Sequence, residues 1–335
     1  VPLVTSKQML LAAQAGGYAV GAFNANNMEM VQAVIQAAEE EQSPVILQVS
    51  QGAIAYAGLE FASSLVKVAA ELASVPVVLH LDHGTDFFQN VRCLRAGFTS
   101  LMYDGSDAPL ADNIATTRKI VGIAHSCDIP VEAELGKIPK IEDYEQQLPA
   151  DYQVTAKLPP AVQERVANLM ARVEDVERFV AETGCDSLAA ALGSVHGMKS
   201  DVQPLNIARL QAIRQRTDIP LVLHGSSGVL RTRAEAAEKG IELAEGEGTL
   251  EDAIKNGICK INIATELSMC FLREVKAAFD RNPQEKDLRK VLKPGRDAVK
   301  ESVRSYIRQF GAAGKGADLC ARAGGIAGGE IKHHE

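Results

Sequence analysis

The chain of 335 residues has no tryptophan, and only 4% of it is aromatic, so its core has to be built mainly from Val, Ile, Leu and Ala. No apolar stretch approaches the ~20 residues of a membrane-spanning helix. The N-terminus has no basic segment leading into an apolar run, so no secretory leader is expected and a cytoplasmic location is. The six cysteines are scattered without a CxxC pair, which fits free thiols in a reducing compartment. Positive charge is in deficit, with a net charge of −8. That excludes a general nucleic-acid surface and an anionic-membrane patch. It leaves room for a local phosphate site made from backbone N–H groups. Walker and G-x-G-x-x-G motifs are missing, so nucleotide chemistry has no support.

What is present is a repeat of short apolar runs. Eight read as strands: 18–24, 44–50, 76–82, 98–104, 129–134, 186–192, 220–224 and 257–262. Segments with helical periodicity lie between them, among them 28–40, 61–72, 110–125, 173–183 and 207–216. Gly or Pro often marks the return into a strand. Strands apolar nearly throughout and alternating with helices predict a parallel sheet covered by helices. Eight such units over roughly 260 residues fit a (β/α)8 TIM barrel. A doubly wound open sheet is the alternative. The barrel is preferred because every strand end carries a polar group: Asn24, Ser50, Asp82 with His83, Asp104, Glu134, His196, His224 and Asn262. An open sheet would gather such groups near one switch point. The chain reads as one catalytic domain with extra C-terminal helices over 267–323, where Val299, Val303, Ile307 and Phe310 form an apolar stripe suited to the barrel or to a second subunit. The proline-bearing stretch 136–163 reads as a lid or a disordered segment. The Ala- and Glu-rich stretch 231–250 reads as an extra helical excursion, and the tail with His333 and His334 as frayed.

Three of only seven histidines, His83, His196 and His224, are followed directly by Gly just past strand ends. Neutral imidazole is the commonest protein ligand for zinc, and three imidazoles leave one position for substrate. Glu132 and Glu134 alternate on one strand face, and inward carboxylates are costly unless paired or metal-bound. Glu134 is assigned to the metal, and Glu132 to orienting a histidine. His80 reads as a barrel residue and His125 as structural. Gly225-Ser226-Ser227-Gly228 and the stretch from Lys260 to Thr265 follow the last two strands, where barrels often hold phosphate. Lys260 is also a candidate for a Schiff base, a minor, metal-free alternative.

These motifs, Leu79-His80-Leu81-Asp82-His83-Gly84, Glu132-Ala133-Glu134-Leu135-Gly136, Gly193-Ser194-Val195-His196-Gly197, His224 through Gly228 and Asn262-Ile263-Ala264-Thr265-Glu266, resemble in kind and order those of the class II, metal-dependent fructose-1,6-bisphosphate aldolases and their tagatose-bisphosphate relatives. The resemblance implies a catalytic Zn²⁺ on His83, His196 and His224, with Glu134 joining in some states. It implies Asp82 as acid/base on the C4 hydroxyl, Asn262 beside a zinc-stabilised enediolate, and Glu142 as the proton shuttle on the mobile loop. It places Gly197, Gly225, Ser226, Ser227, Ala264 and Thr265 around the phosphate of dihydroxyacetone phosphate, with Asn24 and Ser50 on the substrate side. It also implies a monovalent cation (Na⁺ or K⁺) on the backbone of Val195, Gly197 and Gly225. Arg289 takes the place of an arginine that reaches the second phosphate across a dimer interface, so a homodimer or homotetramer is expected. The expected substrate is fructose 1,6-bisphosphate, with tagatose 1,6-bisphosphate or another ketose 1-phosphate as the alternative. A zinc hydrolase and a non-catalytic scaffold are the competing classes.

Overall fold

The computed structural model describes residues 3–148, 158–198 and 202–317; the tail histidines and part of the 136–163 stretch lie outside these described residues. Eight strands form a single parallel sheet: β1 Val20–Asn24, β2 Val45–Ser50, β3 Val77–Asp82, β4 Leu101–Tyr103, β5 Val131–Leu135, β6 Ser187–Ala190, β7 Leu221–Leu223 and β8 Ile258–Ile263. Neighbours follow chain order, and β8 pairs with β1. Backbone bonds from Leu81 N–H to Ser100 O (3.1 Å) and Thr99 N–H to Leu79 O (3.0 Å) tie β3 to the entry of β4 and close the ring. The result is a (β/α)8 barrel, as the polar strand ends predict.

Period-two alternation divides each strand between two environments. Outward side chains such as Leu47, Leu79, Leu81, Leu188 and Ile261 join the main apolar core beneath the helices. Inward, Met102, Ala189 and Val222 form a separate small apolar cluster. The same interior holds buried Gln48, His80, Glu132 and Lys260. One step further toward the strands' C-terminal ends stand Asn24, Asp82, Glu134, His224 and Asn262, so the polarity of the mouth follows directly from register.

Local capping fixes how the chain leaves each strand. Ser50 Oγ accepts Ala53 N–H at 3.2 Å and starts a short helix, Gln51–Ala57, that the periodicity did not mark. Asn27 and Asp86 cap the helices Met28–Glu40 and Phe87–Arg95. The N-terminal helix Ser6–Gly16 is a further addition.

One sequence expectation needs correction. The 231–250 stretch is helical at Arg233–Glu238 and not again until Leu250, where the next helix starts. Gly240, at φ +66°, ends that helix, and Glu247–Gly248 pairs instead with Leu205–Asn206. The 136–163 stretch carries structure of its own: a 3-10 turn at Ile141–Gln147, and the start of a helix, Pro160–Leu169, with proline at the first position where no N–H is needed. The last helix begins at Leu288 and runs through Pro294 to Gln309. Its Val299, Val303 and Ile307 are buried within this chain against the helices Met28–Glu40 and Thr265–Arg281, so the stripe serves the barrel.

Candidate metal centre and active site

The mouth of the barrel opens into a cleft of about 550 Å³. Asn24, Ser50, Asp82, His83, His196, Gly197, Gly225, Ser226, Ser227, Asn262, Ala264 and Thr265 all line it. His224 and Glu134 lie buried just beneath.

His83 sits at φ +49°, a left-handed backbone uncommon for a residue with a side chain. The turn directs its ring over the end of β3. Its Nδ1 is 2.7 Å from Asp104 Oδ2, so that nitrogen donates and Nε2 is left for the centre. His224 Nε2 lies 2.8 Å from Glu132 Oε1, which leaves Nδ1 facing inward. His224 Nδ1 and His83 Nε2 are 3.0 Å apart. Adjacent nitrogens in a tetrahedral zinc site, with bonds of 2.0–2.1 Å, stand about 3.3 Å apart. His196 completes the set, and the nearest ring nitrogens of the three histidines lie within 4.8 Å of one another. Its ring meets His83 edge to face at 5.1 Å between centroids.

Glu134 offers an independent test of fit. Its Oε2 is buried and has no hydrogen-bond partner, although it lies 3.9 Å from Nδ1 of both His83 and His224. An unpaired buried carboxylate oxygen beside the inward Nδ1 of His224, with the Asp104-bound Nδ1 of His83 at the same distance, is a donor that a divalent cation satisfies. His83, Asp104 and Glu134 form a second, overlapping group of such donors. Without a cation, protons carry the charge balance. Burial and the charge of Asp104 push Glu134 up to about 8. Burial pulls His83 down, but Asp82, Asp104 and Glu134 outweigh it and hold the ring up to about 10. Burial and the neighbouring imidazoles push His196 down to about 3.

Asp82 stands beside this cluster. Its Oδ2 accepts Asn24 Nδ2–H at 2.8 Å and its Oδ1 accepts Asn262 Nδ2–H at 3.3 Å. Burial raises its pKa, but His83, His224 and the Asn24 hydrogen bond outweigh that and keep it below the usual carboxylate range. It is therefore an ionised, oriented carboxylate.

The loop after β5 is tied to the site through the backbone. His196 N–H donates to Pro139 O, and Ile141 N–H to His196 O, both at 2.9 Å. This brings Glu142 to the rim: a Cβ built on Gly197 would stand 3.2 Å from Glu142 Oε1. Gly197 has φ +86°, so close approach and backbone conformation both require glycine there. Asp143, not Glu142, lines the cleft itself. Val195 is buried. Arg289 does not line the cleft of its own chain. It is 91% exposed, at the start of the last helix, and its guanidinium grips Asp287 at 2.9 and 3.0 Å.

Sequence reasoning left out several lining residues: Gln51, Thr85, Asp104, Ser106, Asp107, Lys137 and Lys140. Asp104 shared the strand-end signal of the others but was given no role; it holds His83. Gln51 opens the short helix after Ser50, and the rest sit on loops, where no periodicity marks an inward position. Lys260 does not line the cleft; its side chain is 1% exposed and its nitrogen, 2.8 Å from Glu132 Oε2, is committed to that carboxylate and not presented to a substrate. His125 pairs with Asp186 at 2.7 Å and is structural, as expected.

The family described as Fructose-bisphosphate aldolase class-II matches residues 4–315. The chain belongs to the class-II fructose-bisphosphate aldolase family. This aldolase is 41% identical over 322 residues to a fructose-bisphosphate aldolase from Thermus caldophilus, covering 93% of this chain and 99% of that protein. It is 36% identical over 313 residues to the D-tagatose-1,6-bisphosphate aldolase subunit GatY of Klebsiella oxytoca, at 93% and 99% coverage. Among solved structures, the YdjI aldolase from Escherichia coli K12 superposes with a TM-score of 0.73 at 32% identity, covering 94% of this chain and 99% of that one. The chain is thus an enzyme of the class II aldolase family. No single helix among the described residues is long and apolar enough to cross a membrane.

Proposed function

We propose that this aldolase reversibly cleaves fructose 1,6-bisphosphate into dihydroxyacetone phosphate and glyceraldehyde 3-phosphate. The observation that carries this reading is the convergence of three histidines and the partnerless Glu134 oxygen beside ionised Asp82 in one cleft. His83, His196 and His224 would hold Zn²⁺, with Glu134 as an accessory ligand. Bound there, the ion supplies Lewis-acid polarisation of the substrate's ketone oxygen.

The residues account for the remaining work. Gly197, Gly225, Ser226, Ser227, Ala264 and Thr265 hold the C1 phosphate where the helix Thr265–Arg281 begins. Exposed N–H groups and the helix dipole both favour an anion at that end. Asn24 and Ser50 orient sugar hydroxyls. Asp82 takes the proton from the C4 hydroxyl, the C3–C4 bond breaks, and its electron pair passes to the three-carbon fragment as the aldehyde leaves. Asn262, whose Oδ1 has no partner, flanks the carbons where charge develops. Glu142 returns a proton to C3 while its loop excludes water. A monovalent cation on the backbone of Val195, Gly197 and Gly225 belongs to this proposal. So does action of the whole chain as one catalytic domain in the cytoplasm.

A homodimer or homotetramer is also proposed, supported by the exposed apolar side chains of Tyr56, Phe61, Leu72 and Phe88. Sedimentation of the purified enzyme checks it. The similarity to GatY favours tagatose 1,6-bisphosphate as the second substrate candidate. The deciding experiment is steady-state cleavage of both bisphosphates by zinc-replete enzyme, with and without a chelator. Activity that survives complete metal removal refutes the mechanism; a higher kcat/KM for the tagatose ester reassigns the substrate.

A further inference from the structure

A buried ammonium in the barrel interior is left over from this chemistry. Lys260 is 1% exposed and meets no cleft surface. Its Nζ lies 2.8 Å from Glu132 Oε2, 3.0 Å from Glu132 Oε1 and 3.2 Å from His80 Nε2. All three of its N–H donors are therefore accounted for.

We propose that Lys260 is a positioning residue that sets the proton polarity of the metal centre, fixing His224 as the tautomer whose Nδ1 lone pair faces the three-histidine cluster. The relevance to metal rests on the proposed function; the polarity does not. An ammonium donates and never accepts. His80 Nε2 must then be the acceptor, so the His80 proton sits on Nδ1 and goes to Ser100 Oγ at 2.8 Å. Ser100 Oγ is in turn 2.8 Å from Ser6 Oγ on the N-terminal helix. On the other side, Glu132 must be the acceptor, and its Oε1 also receives His224 Nε2–H at 2.8 Å.

The competing arrangement is visible in the same place. Asn262 Nδ2 lies 3.1 Å from His224 Nε2. If Nε2 accepted from that amide, the His224 proton would sit on Nδ1 and occupy the metal-facing position. Glu132 would then have to carry a proton of its own to remain bonded, and an ammonium 2.8 Å away opposes that. With Lys260 present, the Asn262 amide is left to serve Asp82. His224 is fully buried, so no bulk water can reverse the choice.

Histidine-selective ¹⁵N NMR of the metal-free enzyme tests this directly. His224, assigned from its absence in a His224→Asn protein, should show a protonated Nε2 and an unprotonated Nδ1. Lys260→Met keeps length and removes the donors. It should populate the Nδ1–H form and weaken zinc binding, read by competition with a chromophoric chelator, about 10- to 100-fold, the usual effect of disturbing a group that orients a metal-binding histidine. A wild-type His224 protonated on Nδ1 overturns the proposal, and that spectrum decides even if the variant fails to fold. A folded Lys260→Met protein with unchanged tautomer and zinc affinity also overturns it. Wild-type enzyme with the expected tautomer but no zinc uptake upholds the polarity and refutes the metal reading instead.

Discussion

Replacing Asp82 by Asn separates catalysis from construction of the site. The wild-type carboxylate accepts from two amide nitrogens, Asn24 at 2.8 Å and Asn262 at 3.3 Å. An asparagine of the same shape keeps one acceptor oxygen, so its own NH₂ must face one of those donors. Leaving one buried donor pair unsatisfied costs about 1–3 kcal/mol. Unfolding entropy of about 2.1 cal/mol/K per residue over a chain of this length converts that to a Tm loss of roughly 1–4 °C. The protein stays folded at assay temperature. The chemical loss is larger: removing a general base typically costs about 10²- to 10⁴-fold in rate, or roughly 3–5 kcal/mol of barrier. Metal content should be unchanged, because the histidine nitrogens belong to other residues. The assay is coupled cleavage of fructose 1,6-bisphosphate, with metal analysis and a thermal melt on the same preparation. Turnover per bound metal within threefold of wild type would falsify the role given to Asp82, whatever happens to stability. Loss of metal in proportion to loss of rate would make Asp82 part of the metal scaffold instead.

Four further outcomes follow from the same geometry. In the metal-free protein Glu134 sits at about 8 and His83 at about 10, so both hold protons at pH 7 that a cation must displace; zinc affinity should rise with pH, by up to about tenfold per unit for each proton released, and calorimetry in buffers of different ionisation enthalpy counts those protons. Both values exceed those of the unfolded chain, so the stability these groups contribute is lost as pH rises; the metal-free Tm should fall between pH 7 and 10 while the zinc-loaded Tm falls less, and parallel curves would sink the assignment. Borohydride added during turnover should leave Lys260 unmodified by peptide mapping, since its nitrogen is committed to Glu132; a trapped substrate adduct would revive the metal-free mechanism. Arg289→Ala should weaken use of fructose 1,6-bisphosphate far more than proton exchange on dihydroxyacetone phosphate, because its exposed guanidinium can serve only a second subunit's cleft; equal effects on both substrates would place it on an ordinary surface.

The barrel was legible in the sequence because its two periodicities are local. Alternation of two marks strands such as 131–135, where Glu132 and Glu134 share one face, and spacing near 3.6 marks helices such as Met28–Glu40. The strand-end histidines were legible for the same reason, since a (β/α)8 order brings all eight C-terminal ends to one mouth. Elements set by capping or by distant contacts were not. The helix Gln51–Ala57 depends on Ser50 acting as its cap, and the last helix continues through Pro294 because its apolar face is held by two other helices. Only the tertiary structure decided which partner each polar group received. Asp104 falls to His83, Glu132 to both His224 and Lys260, and Glu134 Oε2 to none of the described residues. Those pairings span up to 128 residues of chain, and no sequence pattern records a distance across a barrel. The residue types were written in the chain. Their protonation and direction came from the closed interior that forces each buried donor to find an acceptor.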